Sequence, residues 1–579
     1  MLGSFPPEVA MMGSFDRLLL LARIRLGARF GRMPAHGMLV WAALIGMGGG
    51  LTSALFREAN IGLKWLLTGQ SGDIVAIAES LSPGMRLLIP TVGGIGAGIA
   101  LAVGARLFRG MRAQEYLEVI RLGDGVILLR PTLARLVSSL LSISSGTSIG
   151  REGGMVQLSA LMASTVGRLF RVSKPQLRLL VACGGAAGIA SAYNAPLGGA
   201  LFIAEVVLQS LAIQALGPLV VASVAATLTI RHWIGLRPIF TSPELAAPAD
   251  VDVLPVLGVG LLAGLLAPAL LGLLGAATRA FQWSRLPLPI RLGLGGFLVG
   301  LMSVNTPEIW GNGHAATTAL LGGQLEADFV LHLLMLKVLA TAIAVGSGAV
   351  GGVFTPTLLM GAAAGWLYGE ALHLALPGLA THAVTFAALG MGALLSGTTH
   401  APLMAIVLVF EMTLDANLLF PLILAAMTAR YVAAAIRPSS VYAHSLGTGQ
   451  ARLPYLLHVE DLQTRPVATV RDDVSAEQVR EIFCRSAVQH VWVVDASGRY
   501  RGAIALHTMK RFLGHDDLRH IRAAAVFMED DVPAMRSGAP LTDALAAFSR
   551  TGVERLPVVG ANGVLLGEIS KTDVLLSLA

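Results

Sequence analysis

"GTSIGREGGMVQL", residues 146–158, sets Arg151 and Glu152 side by side in a glycine-rich break between two long apolar runs. Burying charge in lipid is costly, so an ionisable pair at membrane depth points to function. A short polar loop at the membrane surface is the other reading, and this stretch alone leaves both open.

The flanking sequence decides its surroundings. Of 579 residues 54% are hydrophobic and 13% charged, with a mean hydropathy of +0.71. A soluble chain carries about a quarter charged residues, so most of this one must face lipid or other membrane helices. Apolar runs of spanning length recur at 37–56, 87–105, 179–204, 211–230, 253–278 and 338–369. The fold class is therefore a polytopic α-helical membrane protein. Several runs are broken by Gly or Pro, as in "IPTVGGIGAGIA" and "AVGSGAVGGVFTPTLL". Such backbone is tolerated in membranes where it lines a cavity or is buried in protein.

Arg17, Arg23, Arg25, Arg29 and Arg32 precede the first run in a 36-residue leading segment with no signal-peptide pattern. The positive-inside rule places this segment in the cytoplasm. Cys183 and Cys484 are too few for a disulfide framework. A net charge of +7 suits loops facing anionic lipid and gives no sign of nucleic acid as a partner.

Near Ser439 the composition changes. Residues 458–579 are more charged and contain one plan twice. "HVWVVDASGRYRGAIAL" and "RLPVVGANGVLLGEIS" each read as strand, turn, strand, the second turning at Asn562-Gly563. Each follows an amphipathic helical stretch, "SAEQVREIFCRSAV" or "LTDALAAFSRTGV". This is a small soluble α/β domain of two repeated units.

The membrane part, residues 37–450, also repeats. "NAPLGGALFIAE" (194–205) matches "HAPLMAIVLVFE" (400–411), pairing Pro196 with Pro402 and Glu205 with Glu411. "GTSIGREGG" (146–154) matches "GAVGGVFTP" (348–356) at nearly the same offset. Repeated halves with interrupted segments in corresponding places point to a transporter binding site. The repeat alone leaves the relative orientation of the halves open. Helix N-termini at the two breaks could hold an anion through free backbone N–H groups without a fixed cation. Pro356 suits a first helical turn. A carboxylate placed there, Glu152, would compete as a tethered anion.

The ordered motifs "GREGG", "YNAPLGGALFIAEV", "GGVFTP", "HAPLMAIVLVFEMT" and "SSVY", with the paired units behind them, resemble the CLC chloride channel and transporter family, in its bacterial ClcB-like branch. The tail resembles a pair of CBS modules. The resemblance implies a homodimer in the bacterial inner membrane, with one pore per subunit and two inverted halves of broken, tilted helices. It makes Glu152 the gating glutamate and puts an anion among Gly150, Arg151, Gly153, the amides of Val353 and Phe354, and the Tyr442 hydroxyl. Arg151 could equally form a structural ion pair, and Tyr442 could be an interfacial tyrosine. No resident cofactor is implied, chloride being the transported ion. "SKTDV" resembles the CBS nucleotide pattern, with Ser570 and Asp573 placed for the ribose of an adenine nucleotide. The first unit, "ALHTMKR", lacks that aspartate, and an empty structural module is equally compatible.

Departures from the family pattern carry information. Near Gly110 the family's Gly-Ser-Gly-Ile-Pro loop is replaced by "GMRAQEY", so its anion-binding serine is missing. Gly154 stands where many members have proline. Val206 occupies the position at which proton-coupled members carry a second glutamate, which favours passive conduction over chloride/proton exchange. Glu205 and Glu411 read first as buried carboxylates that pair or cap neighbouring helices. His314, His373, His382 and His400 lack metal-ligand clustering and read as loop or packing residues. No nucleophile or metal constellation suggests an enzyme. A membrane-anchored nucleotide sensor is the reading from another class, and the broken half-repeats argue against it, since an anchor needs no broken helices.

Overall fold

The computed structural model describes residues 35–108, 114–121, 123–234, 239–240, 253–323, 325–376, 382–443, 458–462, 468–486, 488, 490–509, 522–529, 532–551 and 553–578. The N-terminal arginines and Gly110 lie outside the described residues. The chain divides into two units, Met1–Leu446 and Gly447–Ala579.

In the first unit the chain runs through α1 (Ala35–Thr68), α2 (Ile74–Ser80), α3 (Pro83–Leu107), α4 (Tyr116–Arg121), α5 (Leu129–Ser144), α6 (Glu152–Leu169) and α7 (Lys174–Tyr193). Then follow α8 (Pro196–Leu201), which continues as a π-helical turn over Phe202–Leu208, α9 (Ile213–Ile234), α10 (Val253–Trp283) and α11 (Leu288–Ser303). The unit closes with α12 (His314–Leu321), α13 (Ala327–Ser347), α14 (Phe354–Ala375), α15 (Ala383–Thr399), α16 (Pro402–Thr413) and α17 (Leu419–Ile436). Six described helices are long and apolar enough to cross a membrane. Side chains such as Leu66, Leu254 and Phe420 stand exposed on the exterior, an apolar surface that suits lipid.

Two of the spanning runs are divided. The run 179–204 breaks at Asn194, and 338–369 breaks between Ser347 and Phe354. Asn194 and its repeat partner His400 are both left-handed C-caps, with φ of 48° and 61°. Alanine follows each in an extended conformation, as a residue before proline must, and Pro196 or Pro402 then opens the next helix at N1. "NAP" and "HAP" are thus the same helix–break–helix device used twice.

The halves are inverted relative to each other. Gly150 and Gly352, equivalent in the repeat, form an antiparallel bridge with N–H···O distances of 2.7 and 2.9 Å. Glu205 accepts from the amides of Leu403 and Met404 at 3.2 and 2.7 Å, and Glu411 accepts from Leu197 and Gly198 at 3.0 and 2.7 Å. Equivalent residues that exchange bonds in this reciprocal way are related by a local two-fold axis between them. The carboxylates of Glu205 and Glu411 therefore cap neighbouring helices.

The second unit contains two sheets. β1 (Thr469–Arg471), β2 (His490–Val494), β3 (Tyr500–Ala505) and β4 (Met528–Glu529) lie in that order in one, and β5 (Met535–Arg536), β6 (Arg555–Val559) and β7 (Leu565–Ser570) in the other. The hairpins β2–β3 and β6–β7 are the two strand–turn–strand stretches read from sequence, each with an irregularity at the corresponding valine pair. Glycine supplies the positive φ of each turn, 78° at Gly498 and 79° at Gly563. The hairpins also join each other, through Tyr500 N to Gly563 O and Leu565 N to Gly498 O, both at 3.0 Å.

Candidate functional site

The two glycine-rich breaks meet. Gly146 and Gly348, equivalent in the repeat, take φ of 90° and 98°, which L side chains rarely adopt, and this turns each chain toward the Gly150–Gly352 bridge. Immediately after the bridge, α6 begins at Glu152 and α14 at Phe354. Two helix N-termini, with their unpaired amides, are thereby held face to face.

The Glu152 carboxylate, only 4% exposed, sits on the partner N-terminus. Its Oε1 accepts from the amides of Phe354 and Thr355 at 3.1 and 3.2 Å, and its Oε2 accepts from Thr355 Oγ1 at 3.1 Å. With Thr355 Oγ1 donating there, the Tyr193 hydroxyl donates to Thr355 Oγ1 at 2.8 Å. A Cβ at either Gly150 or Gly352 would collide with this carboxylate, so both glycines shape its seat. The amides that Glu152 engages are those of Phe354 and Thr355. Val353, the N-cap residue of α14, lines the second cavity with Phe354.

Glu152 lies between two cavities and lines both. The first, about 340 Å³, is walled by Arg57, Arg151, Tyr193, Asn194, Phe240, Asn312, His314 and Thr355 among others. It shares Arg57, Arg151, Asn312 and His314 with an adjoining space of about 300 Å³ that adds Lys64 and Asp73. Arg151 makes no ion pair among the described residues, so the structural ion pair weighed from sequence is not formed there. His314 packs on Phe240 with ring centroids 5.2 Å apart and also faces the cavity, a role its motif did not reveal.

The second cavity, about 350 Å³, is lined by Gly153, Val353, Phe354 and Tyr442, with Glu115, Tyr116 and Arg135. Tyr442 packs its ring edge on Phe202 at 5.5 Å, and Val441 N is fixed to Thr398 O at 2.9 Å. Arg151 thus lines the first cavity, Gly153, Val353, Phe354 and Tyr442 line the second, and Glu152 lines both, beside the bridge that Gly150 forms. Val206 does not join them: it is 5% exposed in the apolar core and lines neither cavity. Tyr193 and Thr355 were not singled out by sequence, because a tyrosine in "ASAYN" and a threonine in "VFTP" read as helix interior and helix start. Among the described residues no His, Cys, Asp and Glu group is arranged to hold a metal ion.

In the second unit, Ser570 Oγ donates to Asp573 Oδ2 at 2.7 Å and accepts from Asp573 N at 3.0 Å, closing the first turn of the last helix, Lys571–Leu578. Trp492 Nε1 donates to the buried Glu568 Oε2 at 2.7 Å, and Glu568 also pairs with Arg555.

A membrane unit of inverted halves, with paired helix N-termini facing each other between two cavities, defines the chain as an anion-transport protein of broken-helix architecture. A family profile described as voltage gated chloride channel matches residues 93–434, and CBS-domain profiles match 459–515 and 523–579. The chain is 47% identical over 424 residues to a protein of Ralstonia nicotianae named as a ClcB-like chloride channel protein, covering 72% of this chain and 99% of that one. It is 38% identical over 409 residues to the voltage-gated ClC-type chloride channel ClcB of Escherichia coli O81, covering 70% and 97%. Among solved structures it is similar to a slow cyanobacterial Cl⁻/H⁺ antiporter, with TM-score 0.63, 25% identity, and coverage of 73% of this chain and 99% of that one. A eukaryotic CLC transporter matches in fold across 96% of this chain and 98% of its own, with TM-score 0.67 and 18% identity. The chain belongs to the voltage-gated chloride channel (CLC) family, with a pair of CBS domains behind its membrane unit.

Proposed function

We propose that the protein conducts chloride across the bacterial cell membrane, with Glu152 as the gate. The observation that carries this reading is the seat of Glu152: a carboxylate bound to the amides of Phe354 and Thr355 forms the wall between two cavities. A helix N-terminus that binds a carboxylate can bind a chloride in its place. Protonation, or displacement by an incoming anion, frees those amides and joins the cavities. Arg151, Gly150 and Gly153 border this passage, while Val353, Phe354 and Tyr442 line its far side. The test is chloride efflux from liposomes across external pH. Glu152→Gln, which mimics the protonated state, should flatten the rise of flux with acidity. A wild-type pH profile in that variant would remove Glu152 from the gate.

Conduction is channel-like in this reading, because Val206 offers no proton carrier. A chloride/proton antiporter is the second reading. The Glu115 carboxylate in the far cavity favours it, as does the likeness to the cyanobacterial Cl⁻/H⁺ antiporter. The protein works as a homodimer, with its N-terminus and CBS pair in the cytoplasm. Ser570 and Asp573 form the nucleotide site of that pair in this reading, and calorimetry with ATP on the wild type and on Asp573→Ala tests it.

A further inference from the structure

We infer that Tyr116 is an anion ligand of the far cavity, presenting its phenol to the same ion as Tyr442. The assignment rests on the reading that chloride passes this cavity. Tyr116 opens α4, and its ring lies in the cavity wall with Tyr442, Gly153, Val353 and Phe354. Neither phenol hydroxyl has a hydrogen-bond partner among the described residues. A phenol placed deep in a protein ordinarily finds a partner. Two without one, around a space next to a pair of helix N-termini, suit an acceptor-only ligand of negative charge.

The backbone explains how this ring is set. Gln157, on the helix that Glu152 begins, accepts from Tyr116 N at 2.9 Å and donates through Nε2 to Gln114 O at 3.1 Å. One amide side chain thus clamps the chain on both sides of Glu115, which is itself paired to Arg135 at 2.8 Å. Ser139, in the same wall, adds a buried hydroxyl that also lacks a partner. The cavity is consequently lined with O–H donors, although the segment just before it lacks the serine that its family resemblance calls for.

Tyr116→Phe keeps the ring packed and removes only the donor. Calorimetric titration of purified protein with chloride, alongside efflux from liposomes, reads the result. Chloride affinity should fall roughly tenfold, the ordinary worth of a hydrogen bond to a charged partner. Tyr442→Phe should do the same, and the double variant should bind more weakly than either. Wild-type chloride affinity in Tyr116→Phe, with affinity lost in Tyr442→Phe, overturns the assignment and leaves chloride conduction standing. A wild-type protein that neither binds nor moves chloride overturns the functional reading, and this assignment with it.

Discussion

Glu205 and Glu411 cap each other's half: each carboxylate takes two amides at the start of the helix that carries the other. Four orphan N–H groups, which lipid could not solvate, are satisfied by two side chains. The same exchange fixes the two half-repeats against each other.

Replacing either glutamate with alanine should therefore destabilise the membrane unit by about 1–2 kcal/mol, in the range of a lost helix cap. Local two-fold symmetry makes the two costs similar. Thermal unfolding in detergent would show it as a lowered midpoint in both variants. The pH profile of chloride efflux should survive, since neither residue touches the seat of Glu152. Loss of the profile with unchanged stability would make these residues part of the transport path.

The hold on Glu152 should be adjustable from outside the carboxylate. Tyr193→Phe removes the hydroxyl behind Thr355, and Thr355→Val removes a direct bond to Oε2. A net hydrogen bond is worth about 0.5–1.5 kcal/mol, so chloride efflux at neutral pH should rise by roughly twofold to tenfold. The effect should be larger for Thr355→Val. Reduced flux in both variants would show that these hydroxyls serve the passing ion rather than the closed gate.

The first cavity should concentrate anions. Arg57, Lys64 and Arg151 bring three basic side chains to this cavity and the space adjoining it, against the carboxylates of Asp73 and Glu152. Walls of low dielectric focus such a field. Arg57→Gln should lower efflux about twofold to fivefold at low ionic strength and much less in high salt, where the Debye length shrinks. Equal losses at both salt concentrations would make Arg57 a packing residue.

Much of this architecture was legible in the sequence, for identifiable reasons. Gly and Pro mark backbone breaks by what they permit sterically, so the helix starts near Glu152 and Phe354 could be read, whereas "IPTVGGIGAGIA" continues unbroken inside α3 with Pro90 in its interior, and the break at Asn194 fell within a run read as continuous. The hairpins of the CBS pair were visible from their turn glycines. The partners were not legible. The amides that Glu152 occupies lie 202 and 203 residues away, brought within reach where Gly150 and Gly352 bridge. His314 read as a loop residue because nothing local shows that its helix start faces Arg151 across a cavity. Tyr116 and Tyr193 stand inside quoted stretches, "GMRAQEY" and "YNAPLGGALFIAEV", but neither was singled out, because their hydroxyls gain meaning only from what surrounds them.

Coupling to protons turns on Val206 and Glu115. Val206 is sealed in the core at 5% exposure, and a valine can neither accept nor pass a proton. An ionisable group within a dry path is the natural relay, and Val206 itself supplies none. Glu115 lines the cavity next to Glu152, but its carboxylate is held in an ion pair with Arg135. Chloride flux should accordingly drive little proton uptake, and the reversal potential in liposomes should follow the chloride gradient alone. Breaking the pair with Arg135→Gln should release the Glu115 carboxylate, and any proton movement gained there would identify it as the latent carrier. Sustained uphill proton transport by the wild type would instead make the protein an exchanger. Glu115→Gln would then decide whether this carboxylate carries the proton.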